Sequence, residues 1–268
     1  MTPEERFAES DGHTQGTPEE AQLYRATIQY DGTAYYGFQR QRAGVPTVQS
    51  AVETALETIS GHPVTLAGAG RTDTGVHALG QVITFTIDWS IRHGDTALLN
   101  ALNANLPQDI VVLDVALARA GFHARFSARR RSYRYRILNR DHRDPFLRDR
   151  VWQVSRPLDV QRMDLAARHL IGVHDFATFG RAPVGDNTTR EVFAAVCHRD
   201  QDDIWFEITA NAFLNRMVRS LVGSIKEVGT GNWTLEDFAA ALEAKDRKRS
   251  ATAAPPQGLY LVSVEYEV

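Results

Sequence analysis

The sequence predicts an α+β fold, because two residue periods recur along it in no strict order. Apolar positions two apart mark strands, and apolar positions three or four apart mark helices. The two kinds mingle without the regular β-α-β succession of a doubly wound sheet. With 268 residues, 43% hydrophobic and 24% charged, the chain has the composition of a globular protein with a core of its own. Ala26, Ile28 and Tyr30 alternate with polar neighbours over 23–30, so a strand ends at the Asp31-Gly32 turn. A loop rich in Gly, Gln and Arg covers 35–46. Val48, Ala51, Val52, Ala55, Leu56 and Ile59 then fall at helical spacing, with Thr47 placed to cap the start and Gly61 to stop the end. Residues 80–88 alternate again, with Ile83, Phe85 and Ile87 facing one way and Thr84 and Thr86 the other. A helix near 95–104 and an apolar run over 110–115 complete a first half, 21–117. In the second half, 118–268, strands are expected near 131–138, 191–198, 203–210 and 258–266. Helices are expected at 160–171, 212–228 and 235–244, the last capped by Thr234. Loops fill 139–150 and 179–190.

Net charge is −3, which by itself speaks against a nucleic-acid partner, but the charge is unevenly spread. Residues 1–20 carry six acids and one base and no periodic apolar positions, and are expected to form a mobile acidic tail. Between Arg119 and Arg150 eleven arginines face three aspartates, a local charge of +8. Of the 30 basic residues 27 are Arg, whose planar fork suits phosphate and stacks on bases. No stretch approaches the roughly 18 apolar residues of a membrane span. The polar start has no apolar signal core, and a lone cysteine, Cys197, excludes an internal disulfide framework. A cytoplasmic protein is expected.

The densest candidate site is Gly68-Ala69-Gly70-Arg71-Thr72-Asp73-Thr74-Gly75-Val76-His77. Three glycines hold the backbone in tight conformations and present Thr72, Asp73 and Thr74 at a tip. A dinucleotide-binding loop is excluded: the third glycine of G-x-G-x-x-G falls on Asp73, and a carboxylate there repels an anion. Two readings stand. Asp73 is a turn residue bonding its own backbone, or it is a catalytic carboxylate that Arg71, two residues away, holds ionised where the two meet. The nine histidines form no H-x-x-x-H or H-E-x-x-H pair, so no metal is expected, and no G-x-S-x-G elbow occurs. Cys197 sits in an apolar strand as a small hydrophobe.

The stretch 126–137 interleaves Arg with aromatics. On a strand, Tyr133, Tyr135 and Ile137 share one face, and Ser132, Arg134 and Arg136 the other. This is either a half-buried strand with core tyrosines or a surface where a base stacks on Tyr and phosphates meet Arg. On the 212–228 helix the apolar stripe is Phe213, Leu214, Met217, Val218, Leu221, Val222 and Ile225. Arg216 and Arg219 are neighbours there. Arg219 lies at the stripe's margin, suited to meeting a carboxylate in a cleft.

Together these stretches resemble the tRNA pseudouridine synthase A family. The family's G-R-T-D-A-G-V-H appears as 70–77, with Thr74 for the usual Ala. Tyr30-Asp31-Gly32 and Tyr36-Gly37-Phe38-Gln39-Arg40-Gln41 match as well, with Phe38 for a usual Trp. Further matches are Asn103-Ala104-Asn105-Leu106-Pro107, Phe122-His123-Ala124-Arg125-Phe126-Ser127-Ala128, Asn211-Ala212-Phe213, Met217-Val218-Arg219 and Gly258-Leu259-Tyr260. The resemblance spans 22–268. It implies a central mixed, largely antiparallel sheet built from two similar α/β halves, the pseudouridine synthase fold. It also implies a homodimer whose two clefts each engage tRNA, and isomerisation of uridine in the anticodon stem-loop at tRNA positions 38, 39 and 40. Asp73 becomes the essential aspartate, Tyr133 the ring stacking on the target base, Arg219 the ion-pair partner of Asp73, and Arg71 a residue that helps extrude the nucleotide. The reaction breaks the N1–C1′ bond and joins C5 to C1′ with no redox or phosphoryl step, so no cofactor is expected. Asp73 serves by attacking C1′ or C6, or by removing the C2′ proton. A non-catalytic RNA-binding module and an N-glycoside hydrolase are the competing classes. The hydrolase calls for a second acid near Asp73, which the sequence does not mark.

Overall fold

The computed structural model describes residues 21–89 and 94–267. The acidic segment 1–20 lies outside the described residues. Among these residues ten strands form one sheet: β1 (Gln22–Tyr30), β2 (Leu66–Gly68), β3 (His77–Ile87), β4 (Ile110–Leu117), β5 (Ala128–Leu138), β6 (Trp152–Gln153), β7 (Gly172–Asp175), β8 (Thr189–Asp200), β9 (Asp203–Ala210) and β10 (Leu259–Tyr266). Their order is β4-β1-β3-β10-β5-β9-β8-β7, with β2 added on β3 and β6 on β5. Only β10 on β3 and β6 on β5 pair in parallel. The helices are α1 (Val48–Ser60), α2 (Gly94–Asn105), α3 (Val160–Arg168), α4 (Met217–Gly229) and α5 (Leu235–Glu243). This is the α+β class that the residue pattern predicts, with the mixed, largely antiparallel sheet that the family resemblance implies.

The chain's last strand returns to the middle of the sheet. β10 pairs Tyr260 with His77 and Leu261 with Ala78 on β3, and on its other edge Leu259 with Tyr135 and Leu261 with Tyr133 on β5. The seam between the first and second halves is therefore a continuous run of sheet. It sets the loop entering β3, which carries Asp73, beside the strand carrying Tyr133.

Local sequence accounts for most boundaries. α1 starts at a capping box between Thr47 and Ser50 and ends at Gly61 in the left-handed conformation, satisfying orphan groups at both ends. Thr234 and Asp237 cap α5 in the same reciprocal way. Three expectations need correction. The helix expected at 160–171 stops at Arg168, and residues 172–175 form β7, an edge strand too short to show a period. Thr84 is buried, although Thr86 is exposed as alternation requires. Ala124 packs with Ala69 and Val82 on that side of β3, and its N–H reaches Thr84 Oγ1 at 3.5 Å.

The third correction bears on the site. The helix expected from 212 begins at Met217, and Asn211–Arg216 form an irregular loop instead. Asn211 Oδ1 accepts from the N–H groups of Glu191 and Ala212, and Asn215 N donates to Arg181 O at 2.9 Å. Side-chain bonds from Asn thus compete with helix formation. Once begun, α4 is buried nearly all round. Leu221 and Ile225 are fully covered, worth about 1.5–3 kcal/mol each. Gly223 and Ser224 on another side lie under the segment after α5: Ala251 N donates to Ser224 Oγ at 3.2 Å, and a Cβ on Gly223 would stand 2.0 Å from Thr252 O.

Candidate active site

The loop from Ala69 to Val76 is held by hydrogen bonds to both its main chain and its side chains. Gln81, fully buried on β3, pairs with Gly70 twice: its amide donates to Gly70 O at 2.6 Å and accepts from Gly70 N at 3.1 Å. Thr72 Oγ1 lies 2.8 Å from Tyr30 Oη, and Thr72 O accepts from Phe38 N at 3.1 Å. Gly37 makes that approach possible: its φ is +93°, and a Cβ there would sit 2.7 Å from Thr72 O. Val76 N donates to Asp73 O at 3.1 Å, closing a turn with Asp73 at its head.

Asp73's main-chain carbonyl closes that turn, so its carboxylate is free for something else. Arg219 Nη1 donates to Asp73 Oδ2 at 2.8 Å, across 146 residues of sequence. Arg219 is itself aimed by its Nε, which donates to Ala254 O at 2.8 Å, and Ala254 N donates back to Arg219 O. The guanidinium side chain is 16% exposed and the carboxylate 40%, so the pair is fixed on one side and open on the other. Arg71 is exposed and forms no ion pair with Asp73. The partner that the local spacing suggested is thus replaced by a distant one.

These groups line a cavity of about 430 Å³. Asp73 is the one carboxylate among its described lining residues, which include Arg71, Arg125, Arg131, Arg190, Arg216 and Arg219. Tyr133 forms part of the wall, 8% exposed, its ring edge-on to Phe213 with centroids 4.9 Å apart. Burial pushes its phenol up to about 12, so it stays neutral at ordinary pH. The structure brings all four sequence-predicted residues, Asp73, Tyr133, Arg71 and Arg219, to this one cavity.

The strand β5 splits the two readings of its arginines. Tyr135 and Ile137 are core. Arg134 and Arg136, on the face away from Tyr133, are ion-paired at 2.7 Å to Glu207 and Asp203 and both stack on Trp205. The expected surface of phosphate-binding arginines beside the tyrosine is not formed by these two. Arg131, on Tyr133's own face and nearly buried, donates instead to the carbonyls of Ala69, Arg125 and Asn211. It ties the Asp73 loop to the opposite wall. Alternation alone marks its face; nothing in the sequence marks those three carbonyls.

His77 follows the loop and is buried. Its Nδ1 accepts from Gly32 N at 3.0 Å and its Nε2 donates to Asp149 O at 2.9 Å. Nδ1 also lies 3.1 Å from Asp31 Oδ1. Because Nδ1 is an acceptor, and burial pushes the ring's pKa below its ordinary value, His77 is a neutral structural group and that contact is no ion pair. Among the described residues no group of three His, Cys, Asp or Glu is arranged to hold a metal ion. No helix among them is long and apolar enough to cross a membrane. Cys197 is buried on β8, its thiol pushed up by burial.

A model of the tRNA pseudouridine synthase family matches residues 26–127 and 166–267, one segment in each half. The chain belongs to this family. tRNA pseudouridine synthase A of Caulobacter vibrioides (strain NA1000 / CB15N) is 44% identical over 252 residues, covering 91% of this chain and 98% of the relative. Its counterpart in Agrobacterium fabrum is 45% identical over 249 residues, with 91% and 92% covered. The one in Thermoanaerobacter sp. (strain X514) is 42% identical over 240 residues, with 89% and 97% covered. Likeness to solved structures is slight: a Cbf5-Nop10-Gar1 complex aligns over 76% of this chain and 44% of that chain at 13% identity, with a TM-score of 0.33. Pseudouridine synthases are isomerases, and the cavity belongs to an enzyme of that class.

Proposed function

We propose that this isomerase converts uridine to pseudouridine in the anticodon stem-loop of tRNA, at positions 38, 39 and 40, with Asp73 as its catalytic group. The observation that carries the reading is the Arg219–Asp73 pair, in a cavity whose other charged lining residues are arginines. Arg219 fixes one carboxylate oxygen of Asp73, leaving the other to face the ribose and uracil of a bound uridine. Such a carboxylate can attack C1′ or C6, or remove the C2′ proton. Each route ends in the same exchange: the N1–C1′ bond breaks, the uracil turns, C5 bonds to C1′, and the C5 proton leaves. A hydrolase of the two-carboxylate kind calls for a second acid within reach, and Asp73 has none among the cavity's described lining residues.

The target uridine is stacked in its stem-loop and must leave the stack, at a cost of a few kcal/mol. Arg71, exposed at the mouth, supplies a guanidinium for the vacated position, and Tyr133 holds the apolar face of the uracil while it turns. The enzyme works as a cytoplasmic homodimer with one such cleft in each copy, as the family resemblance implies.

The test is release of tritium from C5-labelled uridine in an unmodified tRNA transcript, without added metal or nucleotide. The wild-type chain is expected to release tritium, and Asp73→Asn to fall by a factor on the order of 10³ or more while still binding the transcript. Free uracil as product would make the protein a hydrolase. Binding without release by the wild type would make it an RNA-binding module.

A further inference from the structure

The segment 176–181 lies between the loop that precedes α4 and a short 3-10 turn at Arg247–Arg249. Asn215 N donates to Arg181 O at 2.9 Å. Arg247 Nη1 donates to Thr178 O at 3.0 Å, and Asp246 N to Thr178 Oγ1 at 3.1 Å. These ties gather Arg181, Arg216 and Arg247 at the edge of the Asp73 cavity that Asn215 and Arg216 line.

Among the described residues the three charges have no counterpart: no carboxylate comes within ion-pairing distance of any of them, whereas Arg134, Arg136, Arg140 and Arg168 are all paired. Asp186, five residues from Arg181, forms no ion pair with it, and two other acids near in sequence are engaged elsewhere. Asp175 takes Lys245 at 3.6 Å and the Thr188 hydroxyl at 2.5 Å, and Asp246 accepts from Lys248 N at 2.9 Å. Arg181 and Arg216 are close enough that their charges add to burial in pushing the Arg247 guanidinium's pKa down. Arg216 also stands in the left-handed region, φ +63°, without a side-chain cap for α4, a backbone state uncommon for residues with a Cβ. Like charges held together destabilise a protein unless an anion meets them.

We infer that Arg181, Arg216 and Arg247 form a phosphate-binding rim, which grips the RNA backbone next to the nucleotide lying in the Asp73 cavity. The inference rests on the isomerase reading of that cavity. Guanidinium forks bind phosphate oxygens in pairs. Placed beside the cavity, they offset the cost of unstacking the target by holding the strand on the side from which the base swings. The rim recognises backbone and not sequence, which suits an enzyme acting on several neighbouring positions.

The test compares wild type with Arg181→Gln/Arg216→Gln and Arg181→Lys/Arg216→Lys. Neither side chain makes a hydrogen bond within the described protein, so the fold loses little. Affinity for an unmodified tRNA transcript is measured against salt. In the Gln variant the slope of log K on log salt is expected to become shallower by about 1.5, with Kd at 0.15 M salt rising about tenfold. The Lys variant is expected to keep most of the slope. An unchanged slope in the Gln variant, or an equal loss in the Lys variant, overturns the rim. Tritium release by the wild type, run alongside, keeps the two readings apart. A slope change without release leaves the rim standing and overturns the isomerase reading.

Discussion

The two faces of β5 carry the same residue types and do opposite things. On one face Arg134 and Arg136 are neutralised by Glu207 and Asp203 across the strand and flattened on Trp205. On the other, Arg131 and Tyr133 line the cavity that holds Asp73. Both sets belong to the stretch that makes the sequence look so basic. A local charge of +8 therefore does not locate the nucleic-acid surface. Pairing is the sharper criterion: among the arginines the fold leaves without carboxylates, Arg71, Arg125, Arg131, Arg190 and Arg216 line one cavity, the one that holds Asp73.

The largest effect expected from this comparison belongs to Arg131. Arg131→Met leaves the carbonyls of Ala69, Arg125 and Asn211 without their donors. Ala69 O is buried and the other two carbonyls partly so; an unsatisfied buried polar group costs about 1–3 kcal/mol and a partly exposed one less, so a loss of about 3 kcal/mol in chemical denaturation is expected. Isomerisation should fall further still, because the Asp73 loop loses its tie to the opposite wall. A loss under about 1 kcal/mol would show that water replaces the guanidinium and that the two faces differ less than the geometry says.

The tyrosines sharpen the contrast, since they are two residues apart on one face. Tyr135 is fully buried and donates to Pro255 O at 2.7 Å, so Tyr135→Leu is expected to destabilise by about 2–4 kcal/mol. Tyr133 borders the cavity and donates no hydrogen bond among the described residues. Tyr133→Leu should cost less stability, but lower kcat/KM by about ten- to hundredfold, the worth of one base–aromatic stack. Tyr133→Phe should restore most of that. Equal stability losses with equal activity losses would place both rings in the core.

How far these differences were legible depends on the range of the interactions behind them. α1 and α5 were legible because their caps lie within three residues of the helix start. Asp73 and Arg219 stood out singly, the one on a glycine-rich loop and the other at the margin of an apolar stripe, but their meeting spans 146 residues and depends on β10 returning between β3 and β5. Local spacing pointed to Arg71 as the partner instead. The true start of α4 was hidden for the same reason. An apolar stripe runs through 213–225, and besides the local Asn211 Oδ1 bond it is contacts with Arg131, Arg181 and Glu191 from distant strands and loops that hold 211–216 out of the helix. Gln81 and Arg131, which brace the site, gave no signal, because buried polar residues announce themselves only through partners that the fold supplies.

The smallest expected effect is also the most direct test of pairing as the criterion. Arg134 is 37% exposed and Glu207 36%, and ion pairs of that exposure are worth about 0–1 kcal/mol. Arg134→Gln/Arg136→Gln removes two positive charges from the most basic part of the sequence, as many as the double substitution of the rim. If unpaired charge selects the RNA surface, the salt slope for tRNA binding should move by less than about 0.5, against about 1.5 for the rim variant. Stability should fall by no more than about 1 kcal/mol per pair. Equal slopes for the two variants would mean that the whole basic segment acts as one diffuse field. The cavity's uncompensated arginines would then have no privileged part in holding the RNA.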